Sequence, residues 1–169
     1  MALKAPSENG ILYSPYAGGS VPRISVYQAI KECLEKYGKK TALVCSEDQV
    51  TCFELFKKLK QYAAGFQRHG VEPGDKVLAH LGDSVESFIA MYAIVLAGGI
   101  VIPSDPASDK GEFLQKLRDG KASHVFTTKT TAHLSPSKLE EECIKVFELC
   151  SNCRRTNYVW LRDNIIYAA

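Results

Sequence analysis

The chain has 169 residues, enough for one domain with a substantial core and too few for a second full domain. Hydrophobic residues make up 46% of the sequence and charged residues 24%, as is typical of a soluble globular protein. The 21 basic and 19 acidic residues give a net charge of +2 without a basic block, so the charge suggests neither a nucleic acid nor an anionic membrane as a partner.

The two ends and the cysteines predict the compartment. Residues 1–6 lead into polar and turn residues rather than an apolar run, so we expect no secretory signal. The last three residues, 167–169, do not form a peroxisomal or retention tripeptide. Without a secretory signal, the six cysteines indicate reduced thiols, and we therefore expect a cytoplasmic protein.

The first part of the chain predicts an arm and one helix. Residues 1–22 are rich in Pro, Gly, Ser and Tyr and predict an extended arm. A helix is expected to begin at Ser25, with Gln28 completing a capping box, and to end at Gly38. Its apolar positions, which predict the buried face, are Val26, Ala29, Ile30, Cys33, Leu34 and Tyr37.

A hairpin and a longer helix should follow. Residues 41–44 and 49–51 predict two short strands joined by a turn at 46–48. Thr51 with Glu54 forms a second capping box, and Gly70 stands where a C-terminal cap glycine belongs. Between them the apolar residues have helical spacing: Leu55, Phe56, Leu59, Tyr62, Ala63 and Phe66.

From residue 76 onward, strands alternate with helices. The strands are predicted at 76–81, 100–103, 124–127 and 144–149. Asp83, with Glu86 three residues later, should cap a helix that runs to about Ala97. Asp109 should cap a second helix, which reaches Gly120 and has the apolar residues Phe113, Leu114 and Leu117. Ser135-Pro136 predicts a further helix start. This alternation predicts an α/β fold of βαβ units, with a mostly parallel sheet and helices on both of its faces.

Two segments allow alternative interpretations. Residues 87–104 carry no charge and approach the length of a membrane span, but Gly98, Gly99 and Pro103 interrupt them. A buried helix followed by a buried strand explains this segment better, and we expect no membrane span. Residues 158–167 predict either a hairpin turning at Asp163-Asn164 or a frayed tail.

Glycines and cysteines suggest ligand sites that other roles explain better. Residues 16–20 include Gly18-Gly19, but no lysine follows at phosphate-loop spacing, so we predict a flexible arm. Gly98-Gly99 follows a helix instead of opening one, which disfavours phosphate binding. A zinc site could use His133, Cys143, Cys150 and Cys153, but a second cysteine pair is missing, and incidental thiols are favoured. Cys33, Cys45 and Cys52 lie on apolar faces and are predicted to be small core residues.

The remaining polar residues predict no catalytic set. His69, His80, His124 and His133 have no neighbouring serine, cysteine and carboxylate that resemble a triad. His80 and Asp83 stand at a strand end, where α/β proteins often bind ligands, although cap and turn roles suffice for Asp83. Two groups are expected to be structural: Lys57, Lys58 and Lys60 as a solvated face, and Met91 and Tyr92 as core. We therefore predict no catalytic, cofactor-binding or metal-ligating residue.

Several spaced motifs resemble the AMP-dependent synthetase/ligase superfamily, which includes acyl-CoA synthetases, coumarate–CoA ligases, luciferases and nonribosomal adenylation domains. Residues 50–55 match its Leu-Thr-Tyr-x-Glu-Leu motif, with Cys52 in place of the tyrosine. Residues 97–106 match its Ala-Gly-Gly-x-x-x-Pro-x-Asp-Pro motif, and residues 70–77 match the segment between the two. Residues 25–26 and 37–44 resemble the coumarate-ligase and luciferase branch. The resemblance covers roughly residues 10–149.

The resemblance implies the first part of the family's large N-terminal domain. Residues 1–22 would be an arm, 23–149 a partial AMP-binding domain, and 150–169 a divergent tail. The family reaction joins a small carboxylic or fatty acid to AMP, using ATP and Mg²⁺, and then usually transfers the acyl group to coenzyme A.

The family's phosphate loop, adenine motif, ribose-binding aspartate, hinge and C-terminal lysine have no counterpart in this sequence. The resemblance therefore implies no catalytic residue and no bound cofactor for these residues, and an inactive chain when isolated. The family is also known in peroxisomes, but the missing tripeptide favours the cytoplasm. One alternative is a non-catalytic interaction module that pairs with a full-length relative through an uncovered sheet edge. Another is a zinc-binding regulator.

Overall fold

The computed structural model describes residues 5–16, 18–128, 144–149, 158–161 and 164–167. The helices in these residues are α1 (Val26–Tyr37), α2 (Cys52–Arg68), α3 (Val85–Leu96) and α4 (Lys110–Gly120). The strands are β1 (Ser7–Glu8), β2 (Ile11–Leu12), β3 (Thr41–Cys45), β4 (Asp48–Thr51), β5 (Lys76–His80), β6 (Ile100–Ser104), β7 (His124–Thr128), β8 (Lys145–Leu149), β9 (Tyr158–Leu161) and β10 (Asn164–Tyr167). The helix predicted to begin at Ser135-Pro136 lies outside the described residues.

The main sheet has the strand order β10–β9–β8–β7–β5–β6. Strands β6, β5, β7 and β8 are parallel, whereas β9 and β10 are antiparallel additions. The chain passes from β5 through α3 to β6, and then through α4 back past β5 to β7. Crossovers of one hand that run in opposite directions cover opposite faces of a sheet. The predicted α/β fold, with a mostly parallel sheet, is confirmed.

Successive residues of the central strands enter two separate cores. Val77, Ala79 and Phe126 belong to the core that includes residues of α1, α2 and α3. Leu78 and Val125 belong to the core that includes residues of α4. Because both faces of the sheet are covered, these strands are apolar at consecutive positions rather than at alternate ones.

Both predicted ends of α2 are present. The Thr51 hydroxyl accepts a hydrogen bond from the backbone N–H of Glu54 at 3.3 Å, and the Glu54 carboxylate accepts one from the N–H of Thr51 at 3.0 Å. These bonds from Thr51 hold the pKa of Glu54 below its usual value. At the other end Gly70 has φ 89°, and its N–H and that of Val71 bond to carbonyls of the last turn. This double bond pattern is the Schellman motif.

The starts of α1 and α3 differ from the predictions. The Ser25 hydroxyl accepts the N–H of Gln28 at 3.1 Å, but the Gln28 amide bonds to Glu32, so the reciprocal half of the capping box is missing. Helix α3 is capped by Ser84, whose hydroxyl accepts the N–H of Ser87 at 3.0 Å. The prediction of Asp83 as the cap was therefore wrong by one residue.

The apolar face of α1 is largely uncovered. Leu34 is buried and Ile30 half-buried, but Val26, Cys33 and Tyr37 are exposed. The prediction that Cys33 is a core residue is therefore wrong. Helical spacing identifies the residues that share a face, whereas their burial also requires a neighbouring element.

The other predicted core residues have mixed outcomes. Cys52 is buried, and Cys45 is half-buried against the core. Met91 is half-buried and packs on the same core. Tyr92 is exposed and packs against Phe88 with the two rings tilted and their centres 4.5 Å apart, so its assignment to the core is wrong.

The glycine pair after α3 allows a tight return to the sheet. Gly98 has φ 97°, a conformation that favours glycine. A Cβ on Gly99 would lie 2.9 Å from the Ile94 side chain and 3.2 Å from the Ile94 carbonyl oxygen. The chain therefore passes from α3 into β6 without a loop, as the sequence predicts.

The terminal strands form a hairpin, which was one of the two alternatives predicted for residues 158–167. Strands β9 and β10 pair antiparallel with each other, and β9 also pairs with β8. A hairpin therefore extends the sheet beyond β8. The expected turn residue Asp163 lies outside the described residues.

Candidate functional site

The reversal of strand order around β5 places a crevice at one end of the sheet. The connection that leaves β5 runs to β6 on one side, whereas β7, on the other side of β5, is followed by β8, so the strand order reverses between β5 and β7. Ligands of open α/β sheets commonly bind outside the carboxyl ends of the strands at such a point. We call the loops that follow β5 and β6 beside this point, residues 80–84 and 104–109, the carboxyl edge.

A buried polar pair lies at the floor of the carboxyl edge. Nδ1 of His80 is 3.0 Å from the hydroxyl oxygen of Ser104, and both residues are buried. The ring of Phe113 from α4 meets the His80 ring edge-on, with centres 5.0 Å apart. Phe113 therefore covers the imidazole, and the pair is better placed to join β5 to β6 than to meet a ligand.

The loops of the carboxyl edge are acidic. Their charged side chains are Asp83, Asp105 and Asp109, and they contain no lysine or arginine. Asp105 accepts the N–H of Ala107 at 2.8 Å, and Asp109 caps α4 by accepting two backbone N–H groups. Asp105 thus stabilises a turn and Asp109 a helix start, and the negative charge of the three carboxylates disfavours binding of a phosphate group.

A mainly apolar cleft lies next to these loops. It has a volume of about 260 Å³ and is lined by residues of β3 and by the start of α3, including Val44, Cys45 and Met91. Asp83 and Ser84 contribute its polar side. The cleft has room for a small apolar group, and the described residues that line it include no lysine, arginine or histidine.

A second polar cluster, which the sequence did not predict, lies at the opposite end of the sheet. The Ser123 hydroxyl is 2.9 Å from Nδ1 of His124 and 3.4 Å from a carboxylate oxygen of Asp75. The other Asp75 oxygen is 3.8 Å from the same ring nitrogen and accepts the N–H of Glu72 at 2.8 Å. In a catalytic triad the serine and the carboxylate bind opposite ring nitrogens. Here both approach Nδ1, so the cluster ties the 72–75 turn to the start of β7.

The other residues considered from the sequence are dispersed. Gly18 and Gly19 are exposed, and a Cβ added at either glycine would have no atom within 4 Å. Partial burial and the charge of Arg68 lower the pKa of His69. Lys57 and Lys60 are exposed, as predicted, whereas Lys58 is half-buried. The zinc candidates His133, Cys143, Cys150 and Cys153 lie outside the described residues.

Two further kinds of site are absent from the described part of the chain. Within those ranges, no group of three or more His, Cys, Asp or Glu side chains is arranged to hold a metal ion. The helices of the same ranges include none with both the length and the apolar character that crossing a bilayer requires.

Comparisons with known proteins identify relatives of the whole matched region. Tyrocidine synthase 2 from Brevibacillus parabrevis is 32% identical over 116 residues, which cover 69% of this chain and 3% of the relative. The long-chain-fatty-acid–CoA ligase of Bacillus subtilis is 22% identical over 147 residues, covering 87% of this chain and 26% of the ligase. The chain thus spans about a quarter or less of these relatives.

The fold likewise resembles one part of larger solved structures. The N-terminal subdomain of NpsA from Klebsiella oxytoca, in complex with anthranilyl-AMSN, superposes with a TM-score of 0.59 at 22% identity. The match covers 60% of this chain and 26% of the NpsA chain. A family profile described as AMP-binding enzyme matches residues 30–157, about three quarters of the sequence. The chain therefore belongs to the AMP-binding enzyme family.

Proposed function

We propose that this chain forms part of the scaffold of an enzyme that activates a carboxylic acid with ATP. In that reaction a carboxylate oxygen attacks the α-phosphorus of ATP, the bond to the β-phosphate breaks, and pyrophosphate leaves. A thiol then attacks the acyl carbonyl and releases AMP. The match to the AMP-binding enzyme family over residues 30–157 supports this assignment.

We propose further that the 169 residues alone do not catalyse adenylation. The observation that carries this proposal is the charge of the carboxyl edge, whose loops 80–84 and 104–109 contain three aspartates and no lysine or arginine, the nearest cation along the chain being Lys110 at the start of α4. Enzymatic phosphoryl and nucleotidyl transfer depends on cations and oriented donors that neutralise the phosphates. In the active assembly, these groups would come from segments outside these residues.

ATP–pyrophosphate exchange tests the absence of activity. The purified chain is incubated with ATP, Mg²⁺, labelled pyrophosphate and a panel of aromatic, short-chain and long-chain carboxylic acids. We expect exchange at the background rate, while the Bacillus subtilis ligase, assayed in parallel, provides the positive control. Exchange above background with any acid would overturn the proposal.

The thiol acceptor is proposed to be coenzyme A, as in the coumarate-ligase and luciferase-like branch. The alignment with the fatty-acid–CoA ligase supports this choice because it extends over 87% of the chain, against 69% for tyrocidine synthase 2. Sequencing the transcript beyond the codon for Cys150, where the resemblance ends, tests this choice of thiol acceptor. A continuing frame that encodes a phosphate loop and no carrier domain is expected, and a carrier domain would argue for a peptide synthetase.

A non-catalytic module that pairs with a full-length relative is the second candidate. The observation in its favour is β6, which stands at one end of the strand order in the described part of the chain, with Ile100 half exposed. Unpaired edges can recruit another strand. Sedimentation of the chain mixed with a full-length relative would show a joint species if this function is correct, and independent sedimentation would exclude it.

A further inference from the structure

The end of α1 and the start of α2 bring basic and aromatic side chains together on one exposed surface. The backbone N–H of Phe53 donates to the carbonyl of Gly38 at 2.8 Å, and that of Cys52 donates to the carbonyl of Lys40 at 2.9 Å. These bonds fix the two helix ends side by side. We name the surface the junction patch and define it by Lys36, Tyr37, Lys40, Phe53 and Lys57.

The side chains of the junction patch combine positive charge with apolar area. The Nζ atoms of Lys36 and Lys40 lie 5.4 and 5.0 Å from the centre of the Tyr37 ring. The Phe53 side chain is 69% exposed, although α2 buries other apolar residues along its length. Lys57 follows Phe53 by one helical turn and is exposed on the same side of α2.

The small net charge of the whole chain conceals a separation of charge along the sequence. Residues 25–70 contain eight basic and five acidic residues, whereas residues 71–128 contain five basic and eight acidic residues. Within one helical turn of the patch residues the carboxylates are Glu32, Glu35 and Glu54. Glu32 accepts a hydrogen bond from the Gln28 amide, and Glu54 accepts hydrogen bonds from Thr51 at the start of α2. The exposed lysines over the same distance are Lys36, Lys39, Lys40, Lys57 and Lys60. The lysines therefore outnumber the carboxylates on this surface.

We propose that the junction patch docks on the surface of an anionic lipid membrane. Lysines near such a surface are attracted to the lipid phosphates. An exposed phenylalanine can enter the boundary between headgroups and acyl chains, and a tyrosine ring suits the headgroup level. A nucleic acid fits less well, because the patch lacks the arginines that recognise phosphates bidentately. This inference does not depend on the proposed adenylation chemistry.

Vesicle co-sedimentation tests the proposal. The chain is mixed with vesicles of phosphatidylcholine alone, and with vesicles in which about 30% of the lipid is phosphatidylglycerol. We expect binding to the anionic vesicles that weakens as salt is added, since exposed charges are screened. Equal binding to both vesicle types, or binding to neither, would overturn the proposal.

Matched variants locate the binding surface. The double variant Lys36→Gln, Lys40→Gln should bind anionic vesicles at least tenfold more weakly, because each lysine near the surface contributes about fivefold. The control Lys110→Gln, Lys116→Gln removes the same charge from α4 and should bind as the parent does. Equal weakening in both double variants would show a general charge effect and contradict the assigned patch.

A second pair of variants tests the apolar contribution. Phe53→Ala should weaken vesicle binding, whereas Tyr92→Ala, which removes an exposed ring from α3, should not. Circular dichroism checks that each variant retains its helices, and the lysine variants test the patch independently if Phe53→Ala does not fold. Binding of the parent to heparin but not to anionic vesicles would identify an acidic polymer as the partner and refute a membrane.

Discussion

At the scale of single residues, Gly99 illustrates how backbone packing restricts side-chain size. Gly99→Ala would place a methyl group 2.9 Å from the Ile94 side chain and 3.4 Å from the carbonyl oxygen of Asp75. We expect this substitution to lower the free energy of unfolding by about 1–3 kcal/mol. The midpoint of urea unfolding measures it.

Gly19→Ala is the matched control for this experiment. No atom lies within 4 Å of the added Cβ at Gly19, and its φ is not positive. The control should change the free energy of unfolding by less than about 0.5 kcal/mol. If Gly99→Ala were equally harmless, the close approach of α3 and β6 at this point would be incorrect.

Tyr62 predicts a dependence of stability on alkaline pH. Burial, followed by the nearby charge of Glu86, raises the pKa of Tyr62 to about 12 from its ordinary value of 10.0. Because the unfolded chain ionises first, the stabilisation is complete below pH 10 and is lost as the pH rises toward 12. The expected loss is about 1.4 kcal/mol per pH unit.

Urea midpoints measured between pH 9 and about pH 12 test this expectation. The urea midpoint of the Tyr62→Phe variant should fall less steeply with rising pH than that of the parent chain. Tyr16→Phe, which alters a ring that is 73% exposed, should follow the parent. Parallel curves for Tyr62→Phe and the parent would contradict the assignment of this pKa shift to the Tyr62 hydroxyl.

The cluster around His124 shows which residue contacts a sequence does not reveal. Ser123 and His124 are adjacent, but Asp75 is 48 residues from Ser123. Only the parallel pairing of β5 with β7 brings these residues together. The sequence contained no periodic signal for the contact, because it depends on a crossover that returns past β5.

At the scale of secondary-structure elements, the start of α3 provides a test of helix capping. Ser84→Ala removes the oxygen that accepts the N–H of Ser87 and should destabilise the chain by about 1 kcal/mol. Asp83→Ala should have an effect below about 0.5 kcal/mol, because Ser84 is the cap. Thermal or urea unfolding distinguishes the two, and the reverse order of effects would favour the cap that the sequence suggested.

The predictability of an element depends on how local its signals are. The ends of α2 were predicted because Thr51, Glu54 and Gly70 each act within one turn of the helix. The burial of residues on α1 was not predicted correctly. Cys33 and Tyr37 share a face with Leu34, but they lack a neighbouring element that would cover them. Helical periodicity identifies faces, and tertiary contacts decide their burial.

At the scale of the whole molecule, the described surface exposes considerable apolar area. Ile24 and Val26 are 44% and 54% exposed beside the exposed face of α1. We expect the folded chain to bind an apolar fluorescent dye, and the double variant Ile24→Ser, Val26→Ser to bind less at unchanged stability. A cooperative melt with little dye fluorescence from the parent would contradict this expectation.

The sequence pattern predicts the sheet and the location of the carboxyl edge, but it does not predict the chemistry of that edge. Alternating strands and helices predicted the parallel sheet, and strand ends predicted where His80 and Asp83 would lie. The pattern could not separate a buried imidazole from an exposed carboxylate, because that difference results from Phe113 on α4. Side-chain surroundings require the packed structure.

The position of β5 between β6 and β7 also has a consequence for synthesis on the ribosome. β5 can pair with β6 once α3 and β6 have emerged, but its other neighbour, β7, emerges only after α4. Until then, a strand whose residues Val77 and Leu78 become fully buried has one unpaired side. Nonlocal strand pairing of this kind slows folding and prolongs exposure to aggregation. We therefore expect a chaperone to bind most strongly to a nascent chain that is stalled before His124.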